Sequence, residues 1–133
     1  MASEEEIRKI EKQVLEEYKE IEFRVRERVP EYDKTYLNCQ HLIEKLEQCY
    51  SDQSLIRTHL PCVKEERAVQ QCTNQATCPK EFFALQECMN HDRRKCYPLT
   101  VTLKSCLTNV AHKVKDVTKE ELKLLREREA KQN

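Results

Sequence analysis

Residues 39–106 read CQHLIEKLEQCYSDQSLIRTHLPCVKEERAVQQCTNQATCPKEFFALQECMNHDRRKCYPLTVTLKSC, and all eight cysteines of the chain lie within this stretch. They form four pairs: Cys39/Cys49, Cys62/Cys72, Cys78/Cys88 and Cys96/Cys106. Each pair encloses nine residues, whereas the connectors between pairs hold twelve, five and seven. A spacing kept four times across unequal connectors is a geometric constraint. On an α-helix ten positions rise about 15 Å. At about 3.5 residues per turn, ten is also the step from an a position to the d position of the next heptad. Both cysteines of a pair then face one seam. Leu42 and Leu46 fill that seam in the first pair, Phe82 and Leu85 in the third, Leu99 and Leu103 in the fourth. In the second pair Glu65 and Glu66 fall where apolar residues are wanted, which leaves the packing to Ala68 and Val69.

Two such helices laid antiparallel bring the first cysteine of one level with the last of the other, so two bridges can staple a hairpin at both ends. The simplest assignment joins Cys39 with Cys72 and Cys49 with Cys62, then Cys78 with Cys106 and Cys88 with Cys96. Eight cysteines allow 105 pairings, and one rival remains open at this point. The connector 73–77 is short enough for a helical hairpin loop, which would pair the second helix with the third instead.

The chain of 133 residues is within the size of one domain. Charged residues make up 36% of it and aromatics 6%, so apolar material for a core is thin and cross-links are the expected remedy. Lys and Arg together equal Asp and Glu, at 24 each, which removes the basic excess usual in nucleic-acid binders. No apolar run approaches the ~20 residues of a membrane span. There is no glycine. Phosphate-binding loops, dinucleotide fingerprints, nucleophile elbows and EF-hand loops all need it at fixed points, so their usual forms are excluded.

Residues 3–29 predict a long amphipathic helix. Ser3 and Glu6 form a capping box, and Ile7, Ile10, Val14, Tyr18, Ile21, Val25 and Val29 recur at helical period. The stripe is expected either to fold back on the hairpins or to dock a partner protein, and Ile7, Val14, Ile21 and Val25 are the candidate docking residues. Pro30 ends the helix. Three acids at its start and no continuous apolar core distinguish it from a targeting peptide. Further on, Asp33 is a candidate N-cap, and Pro61 prepares the helix at Cys62. Thr77 or Cys78 caps the next, with Pro79 in its first turn. Residues 90–95 close that helix, and Pro98 opens the fourth, expected to continue to about Lys113. Thr118 with Glu121 reads as a second capping box that starts a separate charged terminal helix with a frayed end. The basic turn His91, Asp92, Arg93, Arg94, Lys95 reads as a solvated loop.

Catalytic and metal readings are weaker. Structural zinc sites use close cysteine pairs, and thiol oxidoreductases a tight C-x-x-C; neither is present. Cys39 near His41 and Cys88 near His91 are read as incidental, and His59 and His112 as solvated. A triad from Ser51 or Ser54, Asp52 and His59 would crowd one short connector without an oxyanion device. No catalytic residue, metal ligand or cofactor site is expected, and the chain is expected not to be an enzyme.

The doubled Cys-X9-Cys pattern over residues 39–106 resembles the twin Cys-X9-Cys, or CHCH-domain, family. The resemblance implies an α-hairpin with two nested disulfides for each twin motif, which favours the consecutive pairing. It also implies entry into the mitochondrial intermembrane space in the reduced state and trapping there by the disulfide relay. Leu42 and Leu46 before Cys49, or Phe82 and Leu85 before Cys88, match the apolar face such a relay recognises. A double hairpin most resembles the accessory subunit of respiratory complex I that carries two twin motifs. Subunits of cytochrome c oxidase and ATP synthase, and assembly factors, are the alternatives. The expectation is therefore an all-α chain with an N-terminal helix (1–32), two stapled hairpins (33–75 and 76–113) and a charged terminal helix (114–133). It would be a non-catalytic accessory subunit on the intermembrane-space face of the inner membrane, peripheral and open to lipid head-group contact. Its partners would be other subunits of a large mitochondrial complex and, transiently, the import relay, with no nucleic acid.

Overall fold

The computed structural model describes residues 3–53 and 62–132. Five α-helices occur there: α1 (Glu4–Arg28), α2 (Pro30–Gln53), α3 (Val63–Thr77), α4 (Pro79–His91) and α5 (Tyr97–Gln132), with a 3-10 turn over Arg93–Lys95. There is no strand among the described residues. The architecture is the all-α, disulfide-stapled one that the cysteine spacing predicts. Pro61, Ser54 and His59 lie outside the described residues.

Local chemistry accounts for most helix ends. The Ser3 hydroxyl accepts the Glu6 amide at 3.2 Å, and Glu4, Glu5 and Glu6 stand in the first turn of α1. Acids there oppose the positive end of the helix dipole, while Arg26 and Arg28 complement the other end. Val29 leaves helical geometry at φ −125°, and its amide still bonds the Val25 carbonyl. Pro30 lacks an N–H and has a preset φ, so it both stops α1 and starts α2. Asp33 consequently sits in the first turn of α2 and is not its cap. Cys78 occupies the N-cap position of α4, and Pro79 follows as the first helical residue. The Asp92 side chain accepts the Arg94 amide at 3.1 Å and opens the 3-10 turn.

One open alternative closes, and one boundary differs from the sequence expectation. Residues 73–77 are helical, and Cys78 alone separates α3 from α4, so this connector is not a hairpin loop. The separate terminal helix does not exist: α5 runs unbroken for 36 residues. Neither proline nor glycine occurs after Pro98 to interrupt it. Thr118 does not cap a new start, because its hydroxyl donates to the Val114 carbonyl at 2.6 Å. A threonine satisfied by the carbonyl one turn back is compatible with a continuing helix.

The chain divides into two compact units: residues 1–30 with 112–133, and residues 31–111. In the second unit the buried apolar side chains are Cys39, Cys62, Cys78, Cys96, Leu103 and Val110. Four of these six are cysteines, so sulfur fills much of the space that larger apolar side chains occupy in ordinary helical hairpins.

Candidate functional site

All eight cysteines are bridged. Cys39 joins Cys72 and Cys49 joins Cys62, with Cα separations of 5.8 and 6.1 Å. Cys78 joins Cys106 and Cys88 joins Cys96, at 6.3 and 5.8 Å. These distances fall in the range that bridges accept. Both pairs of bridges are nested, so α2 runs antiparallel to α3 and α4 antiparallel to the start of α5.

Each bridge is buried unequally. Cys39, Cys62, Cys78 and Cys96 are at most 2% exposed, whereas their partners Cys72, Cys49, Cys106 and Cys88 are half-buried. The buried member is in every case the first cysteine of its Cys-X9-Cys motif. Cys62 and Cys78 are N-cap residues and Cys96 directly precedes α5, so the chain entering the helix helps to enclose them. Spacing carries no sign of this asymmetry, because it places both cysteines of a motif on one seam.

Hydrogen bonds close the first hairpin at both ends. The Thr35 hydroxyl gives its proton to the Glu31 carbonyl at 2.8 Å and so accepts the Thr77 hydroxyl at 2.6 Å. At the other end the Tyr50 hydroxyl donates to the Glu66 carboxylate. That bond holds the Tyr50 phenol above its ordinary value, with desolvation second. Glu66 is thereby explained: a residue that reads as a fault in the apolar seam is the acceptor for Tyr50.

The arrangement offers little for chemistry. Two clusters have ligand-type atoms close together among the described residues, Cys49/Cys62/Glu65 and Cys78/Glu81/Cys106. In both, the two sulfurs are bonded to each other, which leaves no thiolate for a metal or a substrate. His41, His91 and His112 are exposed. Ser51 and Asp52 are exposed near the end of α2.

The candidate docking residues separate into two groups. Ile7 and Val14 are 45% and 58% exposed. Ile21 is half-buried and lines a cleft of about 270 Å³ with Leu124 and Leu125 of α5. Val25 is 3% exposed and Val29 2%, so Val25 is an interior residue of this chain and not part of a free docking face. Ion pairs stand on either side of Val25. Arg28 bonds Glu121 at 3.0 Å and also Glu120, and Arg128 bonds Glu20 at 2.9 Å. Glu120 and Glu121 hold the Arg28 guanidinium above its ordinary value. The stripe on α1 therefore ends its free course near Ile21, where α5 covers it.

One charge pair opposes this contact. Glu129 of α5 shares a hydrogen bond with Glu17, which, with the repulsion between the two carboxylates, raises the Glu129 carboxyl above its ordinary value; Arg128 and Arg126 act against the shift. A carboxyl raised in the folded state favours folding below its unfolded value and loses that contribution as pH rises through the folded one. Glu129→Gln should therefore slow amide exchange in the Glu17 region of α1 at about pH 7 and make little difference near about pH 4, where the carboxyl is largely protonated. An equal effect at both values would show that repulsion is not the cause.

Comparison with known families bears on residues 25–84, which match the model described as "Cytochrome c oxidase biogenesis protein Cmc1 like". The match is less than half of the chain. It covers the end of α1, the whole first hairpin and Cys78, and stops before the last three cysteines. No curated protein and no solved structure matches the chain. The matched residues contain one complete twin motif with nested bridges, and residues 78–106 repeat that construction on α4 and α5. Over residues 25–84 the chain is thus similar to a twin Cys-X9-Cys family, and it carries two such disulfide-stapled hairpins in succession.

Proposed function

We propose that this chain is a non-catalytic helper of respiratory-chain biogenesis in the mitochondrial intermembrane space, acting on cytochrome c oxidase. The observation that carries this reading is the family match over the first hairpin. The geometry is consistent with a binding role. Every cysteine sulfur is committed to a bridge, while apolar side chains on the hairpins are bare: Leu37 at 66%, Phe83 at 49% and Tyr97 at 76% exposure. Phe83 lines a groove of about 550 Å³ with Leu42, Ala68, Ala76 and Pro79. No described helix is long and apolar enough to cross a membrane, so attachment to an inner-membrane complex would be peripheral.

A second reading, a stoichiometric accessory subunit of complex I, is favoured by the second hairpin, most of which lies beyond the matched residues. Depletion of the protein separates the two. The first predicts a fall in assembled cytochrome c oxidase on native gels, with complex I intact and the protein itself in a substoichiometric pool. The second predicts co-migration with mature complex I. In either case Cys49→Ser should lower accumulation in mitochondria, because on the relay reading oxidation of Cys49 with Cys62 is part of the trapping step. Unchanged levels would remove the relay from the account.

A further inference from the structure

We propose that the free N-terminal half of α1 is a docking face for a basic amphipathic helix of a partner protein. The face consists of Ile7, Ile10 and Val14, which are 45%, 58% and 58% exposed. They step by three and four, and so form a continuous stripe on the helix. The part of the same helix that α5 touches begins at Glu17, beyond these three residues. An apolar stripe of this kind needs an occupant, and the flanking charges select one.

Helical positions advance by about 100° per residue. On that register Glu6 and Glu11 lie roughly 70° to either side of the stripe and Glu4 roughly 90° from it. The basic residues of the same turns, Arg8, Lys9 and Lys12, lie more than about 120° away, on the back of the helix. All three acids are exposed, and among the described residues none of them is in an ion pair. In two-helix packing the positions beside the seam set partner choice through charge. Acids on both borders favour Lys or Arg on both borders of the incoming helix.

The same borders disfavour the other occupants. A second copy laid antiparallel would bring Glu4 and Glu6 of one helix against the Glu16 and Glu17 end of the other. Laid parallel, it would face each acid with itself. Like charges across a packed interface oppose association. A membrane surface is disfavoured as well. Helices that lie on anionic lipid carry Lys and Arg beside the apolar face, and here those places hold glutamate. This proposal goes beyond the respiratory-chain reading and does not depend on it, since it rests only on the stripe and its borders.

The test uses the full oxidised chain and two synthetic heptad peptides with leucine at a and d, one with lysine and one with glutamate beside the seam. The lysine peptide should bind at least about tenfold more tightly than the glutamate peptide, and the preference should shrink with added salt. Glu6→Lys with Glu11→Lys should invert the preference, and Ile10→Asp should weaken both peptides with helix content and bridges retained. Equal binding by the two peptides would overturn the proposal, as would a preference that survives the charge reversal. Concentration-dependent dimerisation abolished by Ile10→Asp would assign the face to a second copy instead. Stronger binding to anionic than to zwitterionic vesicles, lost in Ile10→Asp, would assign it to lipid.

Discussion

Replacing Cys39 and Cys72 together by serine is expected to lower the stability of the 31–111 unit by about 3–4 kcal/mol. The bridge spans 33 residues, the longest separation of the four. In the chain-entropy account a cross-link acts mainly on the unfolded ensemble, and its effect grows with the logarithm of the loop it closes. The bridge between Cys88 and Cys96 spans only 8 residues, and the same account gives about 2.5 kcal/mol for its removal. The two double variants should therefore differ by roughly 1 kcal/mol in denaturant unfolding, with the longer loop the more sensitive. Packing adds to both losses, since Cys39 and Cys96 are each at most 2% exposed. Cys39 is fully buried in the middle of α2, and its serine would place a hydroxyl where sulfur now fills the seam. The hydrogen bond between Thr35 and Thr77, one turn from this bridge, should break with it. Equal losses for the two variants would show that loop length is not what the bridges act through. A loss of less than about 1 kcal/mol for Cys39 and Cys72 would show that the apolar seam holds the hairpin without them.

The second large effect is expected at Val25. Val25→Asp would place a carboxylate without a partner at a position 3% exposed. Burial of an unpaired charge costs more than α1 gains from the contact, so the helix should detach instead of enclosing it. The ion pairs from Arg28 to Glu120 and Glu121 and from Arg128 to Glu20 are exposed and contribute little alone. A loss on the order of 3 kcal/mol is expected in the 1–30 and 112–133 unit, at the upper end of single-substitution effects. Proteolysis after Arg24, Arg26 or Arg28 and amide exchange over α1 would report it. The bridges of the hairpins should remain intact by mass mapping. Val14→Asp, at a position 58% exposed, is the internal comparison and should change stability within about 0.5 kcal/mol. If both variants behave alike, Val25 is not an anchor of α1.

These two residues also mark how far the linear order of residues carries. The helices around the cysteines were legible because spacing and apolar period are local: Cys39, Leu42, Leu46 and Cys49 share a face in any α-helix, whatever surrounds it. The capping box at Ser3 and the stop at Pro30 were legible for the same reason. Pairing of the helices followed from nested geometry together with the family resemblance, since each hairpin joins neighbours in the chain. By contrast, the division of the α1 stripe into a free half at Ile7 and Val14 and a covered half at Val25 was not legible. It depends on a helix some ninety positions away, and all seven stripe residues have the same local pattern. The same holds for Thr118, where hydroxyl chemistry fits either a cap or a back-bond, and only the uninterrupted course of α5 selects the second.

From its own order of residues, then, this protein is a set of helices with sulfur on their seams. Which sulfur is enclosed, which acid serves Tyr50, and which part of the first helix stays bare were decided in three dimensions. Local periodicity gives each face its character, but burial depends on what else occupies the same space.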